Sequence, residues 1–349
     1  MKTILNVLKW LGLTLLLLVI GFFTYVQFNS NKTFTAPYPN IIASSDSAVI
    51  ARGKYLAYGP AHCGTCHVPM DKYMDVEKGD LMPLSGGWEL SIPPGTFRAP
   101  NITPDKETGI GNLTDGEIAR TLRYMVGYDN RFIAPFMSFH DLTDEDLTAI
   151  VSFLKSQAPV KHQVKRSEIN FLGKALVAFN LIKPEGTKGN PPKSIIRDTS
   201  ISYGKYLANS VADCVGCHTN RDMKTGELIG KPFAGGMYYE ADAFSDGVAF
   251  ISPNLTPHPT TGIISDWGEN AFVARFRAGR VHKGSPMPWG SFSRMDDLDL
   301  KAIYRYLNSL DPVENKIEKT VILPTVSAVS YTHLRAHETD SYLVCRLLL

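Results

Sequence analysis

The longest apolar stretch of the chain lies at its start. Trp10 to Phe28 is a run of nineteen residues without a charge, preceded by Lys2 and Lys9. As a helix it is long enough to cross a bilayer core of ~30 Å, and the lysines in front of it predict an N-terminus on the inner side, with everything after residue 28 outside. The run ends Tyr-Val-Gln-Phe-Asn-Ser-Asn with no small-x-small cleavage pattern, so an uncleaved anchor is expected rather than a removed signal peptide. Further on, the pattern shifts to short amphipathic stretches. Leu147, Ile150, Val151 and Leu154 fall on one stripe at helical spacing, behind an acidic start that Thr143 or Asp144 can cap. Leu300, Ile303, Tyr304 and Leu307 repeat that stripe. Helices are also predicted over 115–127 and 268–279, and shorter ones around Tyr55-Leu56 and Tyr206-Leu207. A final apolar piece, Phe171 to Ile182, is too short and interrupted to span a membrane. It reads as an amphipathic helix packed between domains in preference to one lying on a membrane surface.

The two stripes belong to an internal repeat. Arg52-Gly-Lys-Tyr-Leu-Ala57 answers Tyr203-Gly-Lys-Tyr-Leu-Ala208, Gly86-Gly87 answers Gly235-Gly236, and Pro100-Asn-Ile-Thr-Pro104 answers Pro253-Asn-Leu-Thr-Pro257. Gly109-Ile110 and Gly262-Ile263 follow, and both copies close in Pro-Val, at 159–160 and 312–313. The chain therefore divides into an anchor (1–28), a linker (29–47), a first domain (48–159), a connector (160–200), a second domain (201–313) and a tail (314–328). Gly53 and Gly204 are placed to let the first helix of each copy cross closely over its last.

Each copy carries Cys-x-x-Cys-His, as Cys63-Gly-Thr-Cys66-His67 and Cys214-Val-Gly-Cys217-His218, 151 residues apart. In this pentapeptide both sulfurs can close thioether bonds on the vinyl groups of a haem, and the histidine takes an axial position on its iron. The other readings of paired cysteines fit poorly. A chain of this length needs no disulfide staples, a thioredoxin-like dithiol has no use for the following histidine, and a zinc site needs ligands from two places per domain. Two covalently bound haem c groups are expected. Covalent haem is assembled outside the bacterial inner membrane, so the domains are expected in the periplasm, held by the single N-terminal anchor. The fold class expected is all-α, with two tandem class-I-like cytochrome c domains after a transmembrane helix.

The sixth ligand of each iron decides between electron carrier and enzyme. Met287, in Ser285-Pro-Met-Pro-Trp, is held between two prolines that stiffen an extended segment. Met137, in Ala134-Pro-Phe-Met-Ser-Phe139, stands 70 residues after His67, as Met287 stands 69 after His218. His140 is the rival in the first copy, and His258 and His282 are the rivals in the second. Asn101 and Asn254 read as braces that hold a loop against haem. Charge is uneven, with 8 Lys/Arg against 3 Asp/Glu over 160–200 and 10 against 14 over 48–159. Lys161, Lys165, Arg166 and Lys174 are a candidate docking face, with a plain solvated linker as the alternative. No basic patch with stacking aromatics stands out, so a nucleic-acid partner is not expected.

Through Cys-x-x-Cys-His, Pro-Asn-[Ile/Leu]-Thr-Pro, Gly-Ile and Met-Pro-Trp-x-x-Phe, residues 48–313 resemble membrane-anchored dihaem c-type cytochromes related to the cytochrome subunits of membrane-bound alcohol, gluconate and sorbitol dehydrogenases. The resemblance implies His67 and His218 as proximal ligands and Met137 and Met287 as distal ones. It also implies relay of single electrons among redox partners, such as a dehydrogenase, a quinol-linked complex or a terminal oxidase. Those subunits commonly carry three haem domains, and this chain has two. No catalytic residue is expected. The alternative from another class is a dihaem peroxidase or thiosulfate-oxidising cytochrome, which needs an open iron and acid–base groups above it, and no persuasive distal His–carboxylate set is present. At the far end, 329–349 resembles a translated transposon-end sequencing adapter. On that reading His333, His337 and Cys345 carry no function.

Overall fold

The computed structural model describes residues 2–134, 136–137, 139–187, 189–222, 226–242 and 245–324; the adapter-like segment lies outside them. Helix α1, Lys2–Asn29, is 28 residues long, and its apolar window is wholly exposed. At 1.5 Å per residue it is about 42 Å long, ample for a bilayer.

In the first repeat come α2 (Ser47–Tyr58), α3 (Cys63–Cys66), α4 (Tyr73–Lys78), strands β1 (Glu89–Ile92) and β2 (Gly95–Arg98), α5 (Asp115–Tyr124) and α6 (Asp144–Ser156). Strand β3 (Glu168–Ile169) and α7 (Phe171–Ala178) follow. The second repeat holds α8 (Ile201–Tyr206), α9 (Cys214–Cys217), β4 (Tyr238–Tyr239), β5 (Ala249–Ile251), α10 (Glu269–Arg277), α11 (Trp289–Phe292), α12 (Asp297–Asn308) and β6 (Val321–Ile322). Local chemistry sets these boundaries. Thr143 caps α6 by accepting from the Asp146 N–H. Thr114 and Glu117 close a capping box on α5, which ends where Met125 turns left-handed at φ 51°.

Helices dominate, but the molecule is not all-α. Among the described residues there are two three-stranded antiparallel sheets, β1-β2-β3 and β4-β5-β6. Glu89 pairs with Arg98 and Thr96 with Glu168, while Tyr238 pairs with Ile251 and Ala249 with Ile322. The third strand of each sheet comes from the segment just after the last helix of its repeat.

In each repeat the first helix crosses the last, at a glycine. A Cβ on Gly53 would fall 1.8 Å from the Ala149 carbonyl oxygen, and one on Gly204 would fall 1.9 Å from that of Ala302. Leu56, Leu147 and Ile150 pack beneath the first crossing and Leu207, Leu300 and Ile303 beneath the second, in one continuous core. The repeats meet through equivalent residues. Tyr55 Oη donates to Asp299 Oδ2 at 2.6 Å, and its counterpart Tyr206 donates to Asp146 Oδ2 at 2.7 Å. An interface in which i meets j and j meets i has two-fold character. Burial, reinforced by the facing carboxylate, raises both phenols above their ordinary range, so they remain donors.

Helix α7 does not pack between the repeats as the apolar pattern predicted. It lies against the C-terminal end of α1, with the Phe171 ring centroid 4.7 Å from that of Phe23 and the Phe179 ring 6.0 Å from that of Phe22. The apolar stretch does form a helix, but its partner is the anchor.

Candidate functional site

Each Cys-x-x-Cys pair occupies a single helical turn entered from a left-handed residue, His62 (φ 40°) before α3 and Asp213 (φ 48°) before α9. Residues three apart in a helix share a face, so each turn presents its two sulfurs together. Neither pair is a disulfide. Burial pushes the thiols of Cys63 and Cys214 up to about 12 and that of Cys66 to about 11, the reverse of an activated dithiol. Among the described residues no three His, Cys, Asp or Glu side chains converge as a zinc site requires.

The histidine after each turn is oriented from behind. His67 Nδ1 lies 2.8 Å from the Pro100 carbonyl oxygen and His218 Nδ1 3.1 Å from that of Pro253. A carbonyl only accepts, so Nδ1 carries the proton and Nε2 keeps its lone pair. Burial holds both imidazoles below the ordinary histidine value, partly offset by those carbonyls, and so keeps them neutral. A neutral imidazole with a hydrogen-bonded Nδ1–H is the form that ligates a metal through Nε2.

The loops that supply these carbonyls are pinned alike in both repeats. Gly86 N–H donates to the His67 carbonyl (2.9 Å) and Gly235 N–H to that of His218 (2.8 Å). Asn101 Nδ2 donates to the Val160 carbonyl and Asn254 Nδ2 to that of Val313, both at 2.8 Å. The Oδ1 of each accepts from the backbone N–H and hydroxyl two residues on, at Thr103 and Thr256. The asparagines are therefore braces, tying the loop to the Pro-Val segment that ends each repeat. One further brace escaped the sequence reading. His162 Nδ1 lies 2.9 Å from the Ser85 carbonyl, and Asn315 Nδ2 donates to that of Ala234 at 2.8 Å. The signal was there as Pro-Val-Lys-His162 beside Pro-Val-Glu-Asn315.

Met137 and Met287 are half-buried and pack against the core. The Met287 loop is strongly held. Arg280 donates to the carbonyls of Ser285 and Met287 (3.2 Å to the latter) and pairs with Glu77 of the first repeat at 2.8 Å, both side chains buried. Gly290 N–H donates to Glu77 Oε2 at 2.9 Å, and Thr65, inside the first Cys-x-x-Cys turn, lies 3.2 Å from Ser291 Oγ. The Met287 loop thus packs directly on the first cysteine turn. Of the rival ligands, His140 is buried with Nδ1 3.0 Å from the Arg123 carbonyl and Nε2 3.6 Å from Glu185. His258 Nδ1 is 2.9 Å from Thr261 Oγ1, and His282 is exposed. On the basic face, Lys161 pairs with Glu107 and Arg166 with Asp129, which spends part of the charge locally.

No family model matches the chain. It is 30% identical over 286 residues to the cytochrome c subunit of a quinone alcohol dehydrogenase from Gluconobacter oxydans, covering 77% of this chain and 56% of that protein. It is 27% identical to the fructose dehydrogenase cytochrome subunit of Gluconobacter japonicus, over 82% of this chain and 57% of that one. A diheme cytochrome c-type protein of Cereibacter sphaeroides is 24% identical, over 72% of this chain and 83% of its own length. The chain thus spans just over half the length of the two dehydrogenase subunits. Over most of its own length it is similar to the cytochrome c subunits of dehydrogenase complexes and to a diheme cytochrome c.

Proposed function

We propose that the chain is a membrane-tethered periplasmic cytochrome that carries single electrons between a dehydrogenase or quinol donor and a downstream acceptor, and that turns over no substrate of its own. The observation that carries this reading is the duplicated histidine: His67 and His218 each follow a cysteine turn and each have Nδ1 fixed by a proline carbonyl, at 2.8 and 3.1 Å. On this reading residues 48–159 and 201–313 are two cytochrome c domains. Cys63 and Cys66 attach one haem and Cys214 and Cys217 the other, with His67 and His218 as proximal ligands and Met137 and Met287 as distal ones. Bound haem would supply a one-electron iron couple.

The protein's own part is positioning. The proline carbonyls fix each imidazole's tautomer and make Nε2 a better donor. The glycine and asparagine braces keep those carbonyls in place. The packing of the Met287 loop on the first cysteine turn supports exchange between the two sites within one molecule. Similarity to dehydrogenase cytochrome subunits supports a dehydrogenase as a partner, and α1 supports a single membrane anchor.

Intact-protein mass and a pyridine haemochrome assay test the cofactor count, with two covalent haems expected and one removed by the double change Cys214→Ser, Cys217→Ser. Reduced protein is expected not to bind carbon monoxide at native pH. Stoichiometric carbon monoxide binding together with peroxide turnover would move the assignment to the enzyme class.

A further inference from the structure

We infer that α7 and the turn after it form a second membrane contact, seated in the outer interface of the same bilayer that α1 crosses, so that the first repeat is docked on the membrane and not merely leashed to it. The inference rests on the anchor reading of α1.

Along α7 and the turn after it Leu172 and Leu181 face out, 48 and 69% exposed, and Phe171 and Phe179, which edge onto α1, stay 42 and 47% exposed, while Gly173, Val177 and Ala178 are buried. Left in water such a face keeps apolar surface hydrated that burial in lipid would release. Its position names the occupant. One edge of α7 rests on the last turns of α1, where Phe22, Phe23 and Tyr25 meet Phe171 and Phe179. Those five rings cluster where the anchor leaves the bilayer, the depth at which aromatic side chains collect. Whatever lipid surrounds the end of α1 therefore also reaches the outward face of α7.

The junction is built to be stiff. Lys32 Nζ donates to the Ala178 carbonyl (2.7 Å) and to Asn180 Oδ1 (3.0 Å), closing the end of α7 on the chain leaving α1. At the other end Asn170 caps α7 and donates from Nδ2 to the Pro93 carbonyl at 2.7 Å. Gly173 lies so close to the β1–β2 turn that a Cβ would sit 2.3 Å from the Pro94 carbonyl oxygen. The segment expected to be a linker is pinned as well. Phe34 N–H donates to the Asn130 carbonyl (2.7 Å), Ala43 N–H to Asp115 (2.7 Å), and Arg120 stacks over Tyr38 at 4.3 Å. Anchor, α7 and β-hairpin thus form one strut from the bilayer to the first repeat.

Nitroxide labels on the full chain in lipid vesicles test this, in a Cys345→Ser background so that each introduced cysteine is the sole free thiol once haem is attached. Labels go at Leu172→Cys and Leu181→Cys, at Leu15→Cys within α1, and at the exposed Val281→Cys of the second repeat, with haem content checked for each. Positions 172 and 181 are expected to collide with a water-soluble nickel chelate at least about fivefold less often than 281, and with oxygen more often. If 15 is lipid-embedded while 172 and 181 respond to the chelate like 281, the docking of α7 is overturned and the anchor stands. If 15 is also water-exposed, the anchor reading falls and the docking with it.

Discussion

Replacing Glu77 with Gln perturbs a buried ion pair by which the first repeat holds the Met287 loop of the second. Glu77 Oε2 accepts from Arg280 Nε at 3.0 Å, from Arg280 Nη2 at 2.8 Å and from Gly290 N–H at 2.9 Å. Its side chain is 2% exposed and that of Arg280 8%. Removing one member of a buried ion pair costs about 3–5 kcal/mol, because the other charge stays behind uncompensated. Arg280 would keep the Met287 and Ser285 carbonyls and the Tyr73 hydroxyl as acceptors, which places the expected loss at the lower end, about 3 kcal/mol. That is a large share of a stability of order 5–15 kcal/mol. The assay is urea unfolding of the full haem-loaded chain in detergent, on Glu77→Gln, Arg280→Gln and the double variant. Each single change should lower the midpoint strongly, and the double should cost little more than either alone, since the two groups act as one. A Glu77→Gln loss under about 0.5 kcal/mol, or strictly additive losses, would refute the reasoning that this pair locks the repeats together.

Other expectations follow from single contacts. Gly204→Ala drives a Cβ to within 1.9 Å of the Ala302 carbonyl oxygen, and since backbone cannot rotate away it should cost about 1–3 kcal/mol or more, read by thermal unfolding and by lower haem incorporation. Tyr206→Phe strips a 2.7 Å donor from the buried Asp146 and should cost about 1–3 kcal/mol, whereas Tyr128→Phe at the exposed surface should be near neutral in the same melt. Asp115 is drawn below its ordinary value: burial opposes this, but the Lys155 ammonium and the Ala43 N–H outweigh it. A depressed carboxylate contributes stability above its unfolded value of ~3.9 and loses it as pH falls through the folded value. Asp115→Asn should therefore be less stable than the parent at pH 7, with the two converging toward pH 3 in a pH series of melts.

What the sequence revealed was what is local or repeated. The caps and stripes of α6 and α12, the glycine crossings at Gly53 and Gly204 and the cysteine turns all follow from patterns within a few residues, and the duplication marked which patterns mattered. The two small sheets were missed because strands such as Tyr238–Tyr239 and Val321–Ile322 are two residues long, too short to show alternation. Helix α7 was recognisable as an apolar helix, but nothing in its spacing says which surface it meets. The cross-repeat contacts are out of reach for the same reason: Glu77 and Arg280 are 203 residues apart, and no local periodicity joins them. Even so, Tyr55 with Tyr206 and Asp146 with Asp299 were visible as repeated polar residues beside a core stripe, and their reciprocal pairing is what the duplication produced.

On the proposed function both sites are six-coordinate electron-transfer haems with methionine on the distal side. Near-infrared absorption of the oxidised protein measures this directly, because thioether ligation gives a weak sulfur-to-iron band. With methionine on both irons the band is expected at the intensity of two sites, halved by Met287→Leu and abolished by adding Met137→Leu, with haem content unchanged. A band absent from the parent protein, or abolished entirely by Met287→Leu alone, would contradict it.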